Sequence, residues 1–534
     1  MFRSLRAQMS PMFRSWRLAS VALQSFASGL PLGLVWIAIP TWMTQAGVDI
    51  KVVGLFTLAQ APWTFKFLWA PLMDRYPPPF MGRKRGWIFI AQMALLVLGL
   101  WLAAVSDPPV AVLVIGLLTL AMGLAAATQD IALDAYAVEV LRREEQGAAV
   151  GARTAMYRAA MFLSGGVSIT LASDFDLNLF GLHLGHWSGS WKVVNYLMAA
   201  CWIPLLIVTW KSPEPDVVPD PPKTLKQAVW EPFLGFLAQH RALEILAFVV
   251  LYKLSDNLTQ ALTRPFLVQV GFDATDVGVV TGTISLVATL VGTFLGGLLT
   301  NSLGLGRALW VFGFFQIFSN LGYALVAQVG ANKPIMYAAV AFELGSTGLG
   351  SGAFGVLLLR LTQKRFSATQ FALLSSLFSI SRVLAGPPAG LLADAIGWRD
   401  FFILTIFTGI PGMLMLHRFV PWGVREIEFH TAAPVRGRPV GSGEVAMKAA
   451  LGGLMASAAG LLTMATLWGI RSYRARYGFN FPHQVGEVLR PATLGAWTTL
   501  IGILVIGLTV ALVTAATLVA RQGLEPSKRA RAGE

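Results

Sequence analysis

Of 534 residues, 55% are apolar and 13% charged, about half the charged share of a soluble chain, which excludes a water-soluble globule and makes this a polytopic membrane protein. The formal charge of +14 would suit a nucleic-acid binder, but the basic residues sit in short loops and tails between apolar stretches, as the positive-inside rule dictates. The single cysteine, Cys201, excludes an internal disulfide and any cysteine-built metal site.

In chain order, Arg3, Arg6, Arg14 and Arg17 precede an apolar stretch from Leu18 to about Thr41. It is too long for the core of a secretory signal and reads as an uncleaved first span. Further spans are predicted near 52–72, 87–104, 109–138, 151–172 and 191–210. A break over 211–241 contains Pro213, Pro215, Pro219, Pro221 and Pro222. Its second part, Thr224 to His240, has the spacing of an amphipathic helix lying on the membrane surface. Six more spans follow near 242–263, 275–300, 306–328, 334–359, 367–393 and 399–417. A polar linker to about Glu444 then precedes two extra spans near 445–469 and 493–519. The expected fold is all-α: a two-lobed bundle of six plus six helices with two appended C-terminal transmembrane helices. Its divisions are 1–210, a first lobe; 211–241, a linker; 242–420, a second lobe; and 421–534, a linker, two helices and a basic tail.

Charge orients this arrangement. With the N-terminus inside, the outer segments of the first twelve spans hold only Lys51, Lys192, Arg264, Lys333 and Arg399, so both termini and the central linker are expected in the cytoplasm. The loop carrying Arg471, Arg474, Arg476 and Arg490 breaks the rule.

The fourth span carries the first functional signal. The apolar run Val110 to Ala127 continues without a turn into Thr128–Glu139, where Asp130 and Asp134 lie one helical turn apart with Gln129 beside them. A carboxylate in hydrocarbon costs at least ~2.5 kcal/mol, so these two face a cavity, a cation or the aqueous edge. The bland reading is a helix end emerging into water; the functional one is a polar wall at the inner mouth of a transport path.

The halves repeat features. The second span ends in Asp74-Arg75 and the basic turn Gly82-Arg83-Lys84-Arg85-Gly86, and the eighth ends in Gly297 to Asn301, then Gly304, Gly306 and Arg307. The fifth span has Arg158 before Gly165-Gly166; the eleventh has Arg382 before Gly386-Pro387-Pro388-Ala389-Gly390. Repeated halves describe secondary transporters working by alternating access. Lys253 and Asp256, one turn apart, lie ~16–21 Å into the seventh span, near the middle of the hydrocarbon. Glu343 lies in the tenth span, and Lys66 and Arg158 are the cations of the first half. A structural ion-pair network is the plain alternative, yet intramembrane ionisable groups are functional candidates by default.

The turn Asp74 to Gly86 resembles the loop signature of the major facilitator superfamily. More closely, the chain resembles the AmpG-type muropeptide permeases. The stretches that carry this are Ser28-Gly29-Leu30-Pro31-Leu32, Phe65 to Tyr76, Gln129-Asp130-Ile131 with Asp134-Ala135, Leu251 to Asp256, and Phe366 to Ser375. The resemblance implies proton-coupled import of anhydro-muropeptides across the bacterial inner membrane. The polar linker from Val420 to Val445 has no counterpart in it, and acetyl-CoA transporters form a related branch.

Such a carrier needs a carboxylate whose proton affinity changes between wet and dry states. Asp256 and Glu343 are the candidates, with Asp130 and Asp134 behind them. Lys66, Lys253 or Arg382 can take a cargo carboxylate, and Gln24, Gln60, Gln129 and Asn257 can bond hydroxyls and amides. Tyr252, Trp36 and Trp63 can stack on a sugar, although each aromatic is more simply packing or interfacial belt. Asp74, Arg75, Arg83, Arg85 and Arg158 are assigned to a conformational gate. The expected partners are the cargo, protons and the bilayer, with no nucleic acid, no cofactor and no metal, in a monomer. Alternatives are a carrier for acetyl-CoA, peptides or drugs, or a membrane-embedded enzyme acting on lipid-linked sugars. The enzyme reading is weakened by six scattered histidines and the absence of a His-Glu-x-x-His motif or phosphate loop.

Overall fold

A segment in hydrocarbon must satisfy its own backbone N–H and C=O groups, and that is why the apolar runs fold as helices. In the computed structural model of this chain, residues 15–49, 52–53, 56–105, 108–179, 182–216, 220–237, 242–427, 429, 440–474, 478–492 and 494–522 are described. Arg3, Arg6, Arg14, Lys51, Pro219, Arg241, Arg476, most of the 428–439 stretch and the basic tail lie outside the described residues. Spans 1 to 6 are Trp16–Gln45, 56–75, Arg85–Ala104, Pro108–Val140, 146–171 and Trp191–Lys211. Leu225–Leu237 is helical in the central linker. Spans 7 to 12 are 242–270, 274–303, Leu305–Val329, Lys333–Leu361, Ser367–Ile396 and Trp398–Phe419. Ser442–Arg474 and Leu494–Gln522 follow, with a short helix, Phe481–Leu489, between them.

Among the described residues, ten helices are long and apolar enough to cross a membrane. Spans 2, 5 and 7 fall short of that measure, and these carry Lys66, Arg153 with Arg158, and Lys253 with Asp256. Span 2 is broken into short 3-10 and α pieces, with Pro62 and Pro71 near the starts of two of them. Span 7 is interrupted at Tyr252–Lys253, and Lys253 caps the second piece, Leu254–Val270. Spans 1, 5 and 8 each contain a π-helical turn, at Leu34–Ala38, Phe162–Val167 and Val280–Ile284.

One element was not legible in the sequence. Between spans 5 and 6 an antiparallel hairpin forms from β1 (Phe175–Leu179) and β2 (Leu182–Trp187), with a register shift at Leu177/Asn178. It is tied to span 5 by the Trp187 indole, which donates to Leu171 O at 2.8 Å.

The chain divides into two compact units: residues 1–229, 246–389 and 396–427, and residues 230–245, 390–395 and 428–534. In the first unit, close packing depends on small residues. A Cβ on Gly29 would lie 2.2 Å from Tyr157 O, and one on Gly292 would lie 2.3 Å from Gly345 O, so spans 1 and 5 and spans 8 and 10 touch backbone to backbone. Gly147 and Gly297 do the same between spans 5 and 8, where a Cβ on either would meet the other's carbonyl at 2.2 or 2.1 Å. An apolar core including Leu30, Val35, Trp42, Met122 and Trp202 fills the first half. In the second unit, Gly453 brings Ser442–Arg474 against Leu494–Gln522, where an added Cβ would be 2.8 Å from Gly507 O.

The chain leaving each half is strapped to that half. After span 6, Ser212 accepts from Gln24 Nε2 at 2.7 Å, Pro213 O accepts from the Tyr136 hydroxyl at 2.7 Å, and Glu214 pairs with Arg85 at 2.5 Å. Arg17 grips both Asp216 oxygens at 2.7 and 2.5 Å and holds that exposed carboxyl below its ordinary pKa. After span 12, Val420 O accepts from the Trp310 indole at 2.9 Å, Arg425 O accepts from Gly306 N at 2.9 Å, and Glu426 pairs with Arg360. Both straps cross the turn that follows the second helix of their own half.

Candidate functional site

Three polar clusters are built into the apolar first unit. The first lies at the break in span 7. Lys253 and Asp256 pair at 3.0 Å, and each is 2% exposed. Lys253 Nζ also donates to Gln316 Oε1 and, at 3.2 Å, to Thr347 O. An ammonium has three donors, and all three are used. Gln316 in turn donates to the Tyr252 hydroxyl at 3.2 Å, and that hydroxyl donates to Leu309 O at 2.9 Å. Tyr252 also stacks on Phe354 at 6.0 Å. Glu343, 1% exposed, accepts from Gln260 Nε2 at 3.2 Å, Thr347 Oγ1 at 3.1 Å and the Tyr323 hydroxyl at 3.3 Å. No cation among the described residues is within ion-pair distance of it. Thr347 therefore joins the two carboxylates, its hydroxyl on Glu343 and its carbonyl on Lys253.

The second cluster borders a cavity of about 350 Å³ whose lining includes Ser28, Asp130, Asp134, Arg153, Tyr157 and Arg158 from the first half and Ser351, Gly355 and Phe371 from the second. Asp134 pairs with Arg153 at 2.5 Å and Lys66 at 3.3 Å, and Arg153 Nε donates to Ser25 Oγ at 3.2 Å. Asp130 accepts from Ser28 Oγ. Burying a carboxylate costs far less when a cation and hydrogen bonds satisfy it, so the aligned carboxylates of span 4 are met by spans 1, 2 and 5.

The third cluster centres on Asp74, fully buried at the end of span 2. Within its own half it pairs with Lys84 at 2.5 Å and Arg83 at 3.2 Å. Across to span 11 it accepts from Thr369 N at 2.9 Å, Thr369 Oγ1 at 2.7 Å and Ala368 N at 3.3 Å. A carboxylate on the first backbone N–H groups of a helix also meets the positive end of its dipole. Arg83 reaches Arg365 O, and Glu139, 3.9 Å from Arg83, accepts from Ser367 Oγ at 2.6 Å. Nearby, Asn301 donates to Glu144 O at 2.8 Å and Arg360 to Gln146 Oε1 at 3.3 Å. Spans 2, 4 and 5 are thus joined to spans 8, 10 and 11 at this end.

Burying this many charges in a helical bundle narrows the possibilities, and comparison decides among them. The Major Facilitator Superfamily profile matches residues 21–386. The chain belongs to the major facilitator superfamily. Within the superfamily it groups with the AmpG-type transporters. The anhydromuropeptide permease of Escherichia coli (strain K12) is 42% identical over 416 residues, covering 77% of this chain and 81% of that one. A putative transporter AmpG 4 of Rickettsia felis is 27% identical over 412 residues, covering 76% and 96%. Among solved superfamily structures, the proton:xylose symporter XylE bound to 6-bromo-6-deoxy-D-glucose matches with TM-score 0.58 and 11% identity over 77% of this chain and 97% of that chain. FucP in the outward conformation matches at 0.57 and 13%, covering 75% and 98%. At such identities the likeness is one of fold.

Against this superfamily frame, the residues singled out from the sequence separate. Lys253, Asp256, Tyr252 and Glu343 fall in one network, Asp130, Asp134, Lys66 and Arg158 around the cavity, and Asp74 with Arg83 in the third cluster. Gln24 and Arg85 bond to the first strap. Arg75 lies over the Tyr76 ring at 5.0 Å, outside the Asp74 cluster. Gln129 is fully buried with both amide atoms unpartnered. Asn257 is buried, Gln60 half-buried and Arg382 exposed. Sequence reasoning missed Arg153, Gln316, Thr347 and Thr369. Arg153 follows a basic loop and reads there as one more inner charge; only its distance to Asp134 distinguishes it.

Proposed function

We propose that this transporter imports anhydro-muropeptides into the bacterial cytoplasm by proton symport with alternating access, acting as a monomer in the inner membrane. The observation that carries this is the 42% identity over 416 residues to a permease named for that cargo. In this reading, residues 1–210 and 242–420 are the two lobes, 211–241 is a cytoplasmic linker, and 421–534 adds the extra helices and tail. Both termini lie in the cytoplasm, as the Lys/Arg distribution favours, so the Asp74 latch closes the cytoplasmic end.

The proton site of this proposal is Glu343. Asp256 already has Lys253 as counter-ion, whereas Glu343 has only neutral donors, so protonation there removes an uncompensated buried charge. Thr347 passes the change to Lys253 and Asp256. The cavity at Asp130, Asp134 and Arg153 takes the cargo from the opposite side. The test is uptake of radiolabelled anhydro-muropeptide into right-side-out and inverted vesicles, with and without a pH gradient. Accumulation only in right-side-out vesicles and only with an inward proton gradient is the expected result. Equal uptake without a gradient would remove the symport, and no uptake at all would remove the cargo.

A further inference from the structure

Two arginines of the first unit stand out because no carboxylate among the described residues pairs with them. Arg158 lines the cavity, and neither it nor Arg382 makes a hydrogen bond or ion pair among the described residues. Both side chains are exposed. On span 5, Val150, Thr154 and Arg158 recur every fourth residue, so they share one face, and all three border the cavity. On span 11, Arg382 lies eleven residues beyond the cavity-lining Phe371. At about 100° per residue that returns it to within about 20° of the same face. Tyr157, also in the lining, is within electrostatic range of both Arg158 and Arg382.

The local charge does not balance. Lys66 and Arg153 are engaged by Asp134, and Asp130 is bonded to Ser28. Four cations therefore share this region with two carboxylates. Exposed guanidinium groups with no carboxylate partner are free to take an anion from the cavity. Guanidinium suits a carboxylate because its planar fork bonds both oxygens.

We propose that Arg158 and Arg382 form a carboxylate subsite, one guanidinium from each half, that takes a single carboxylate of the cargo. This rests on the muropeptide reading, since such cargo carries at least one free carboxylate. Lys253 is excluded from the role because its three donors are occupied. A carboxylate held by both arginines ties span 5 to span 11. Binding energy from the cargo is thereby applied to drawing the halves together, and a neutral analogue lacks that tie.

The experiment uses the full chain in lipid nanodiscs and two probes: N-acetylglucosaminyl-anhydro-N-acetylmuramic acid with its free lactyl carboxylate, and the primary amide of the same sugar. The acid is expected to bind roughly ten-fold or more tightly than the amide. Arg158→Gln and Arg382→Gln should each abolish the difference between the two probes, and Arg→Lys at either position should restore part of it. Equal binding of acid and amide to the unaltered protein, or variants that weaken both probes alike, would overturn the subsite. If neither sugar binds, the muropeptide reading fails, and a second measurement decides the subsite alone. Succinate should then shield Arg158 and Arg382 together from phenylglyoxal, read residue by residue by mass spectrometry; shielding of neither overturns it.

Discussion

Asp74→Asn keeps the shape of the side chain and removes its charge, which isolates what the latch contributes. Across the halves the carboxylate accepts three hydrogen bonds, at 2.7, 2.9 and 3.3 Å, from the first residues of span 11. Charge-assisted hydrogen bonds are about twice as strong as neutral ones, which contribute ~1 kcal/mol each. Losing the charge on three of them, with the dipole interaction of the helix end, weakens the closed form by about 2–4 kcal/mol. That is a shift of roughly 30- to 700-fold in the ratio of closed to open protein. The substitution also strands Lys84, 1% exposed at its side chain, and an unpaired buried cation lowers folding stability by about 3–5 kcal/mol. Asp74→Asn with Lys84→Met separates the two effects, restoring stability but leaving the latch broken. The assay is electron–electron double resonance between spin labels on Tyr76→Cys and Lys364→Cys, both exposed positions, in a Cys201→Ser background. A longer distance should dominate in the single and the double variant. An unchanged distance distribution in both would refute the assignment of Asp74 as a latch.

Gly297→Leu places a side chain where Gly147 O is 2.1 Å from an added Cβ; it should force spans 5 and 8 apart and reduce the closed form in the same resonance assay, while Gly278→Ala, with nothing within 4 Å, should not. Glu343→Gln should abolish accumulation driven by a pH gradient yet retain exchange of labelled for unlabelled cargo at equal concentrations; pH-driven accumulation in that variant would move the proton to Asp256. Cysteines at Asp220 and Asn480 should react differently with an impermeant maleimide added to intact cells, only the second being modified; labelling at Asp220 would place the central linker outside. The Arg17–Asp216 clasp should be indifferent to pH over about 5 to 8. The depressed carboxyl pKa means its contribution is present above the ordinary aspartate value and lost only as pH falls through the lower folded one. Limited proteolysis of residues 211–216 that accelerates near pH 6 would contradict this.

Much of the molecule was legible because a bilayer leaves few options. Apolar runs of the right length gave the helices, and spacing of three placed Lys253 over Asp256, which do pair. Asp74 and its basic turn were visible as a helix end too charged for lipid. The partners were not visible, because they come from elsewhere in the chain. Thr369 lies 295 positions from Asp74, and Ser367 meets Glu139 from 228 positions away. Lys66 was legible as a cation in the membrane, but its partner Asp134 was not. Tyr252 was legible as an aromatic beside Lys253, but its bond to Leu309 O and its stack on Phe354 were not. The hairpin at Phe175–Trp187 escaped because its alternation is short and interrupted by a register shift.

The π-helical turns in spans 1, 5 and 8 bear on how this chain tolerates changes of length. A π turn closes its hydrogen bonds one residue later than an α turn and so holds one residue in excess. Deleting a residue anywhere else in these helices would turn all that follows by about 100° and move it ~1.5 Å, carrying Arg158 or Gly297 off its face. A deletion inside Leu34–Ala38, Phe162–Val167 or Val280–Ile284 would instead be absorbed as the turn reverts to α. Related genes should therefore show single-codon gaps in these three windows and resist them in the remainder of the same three helices.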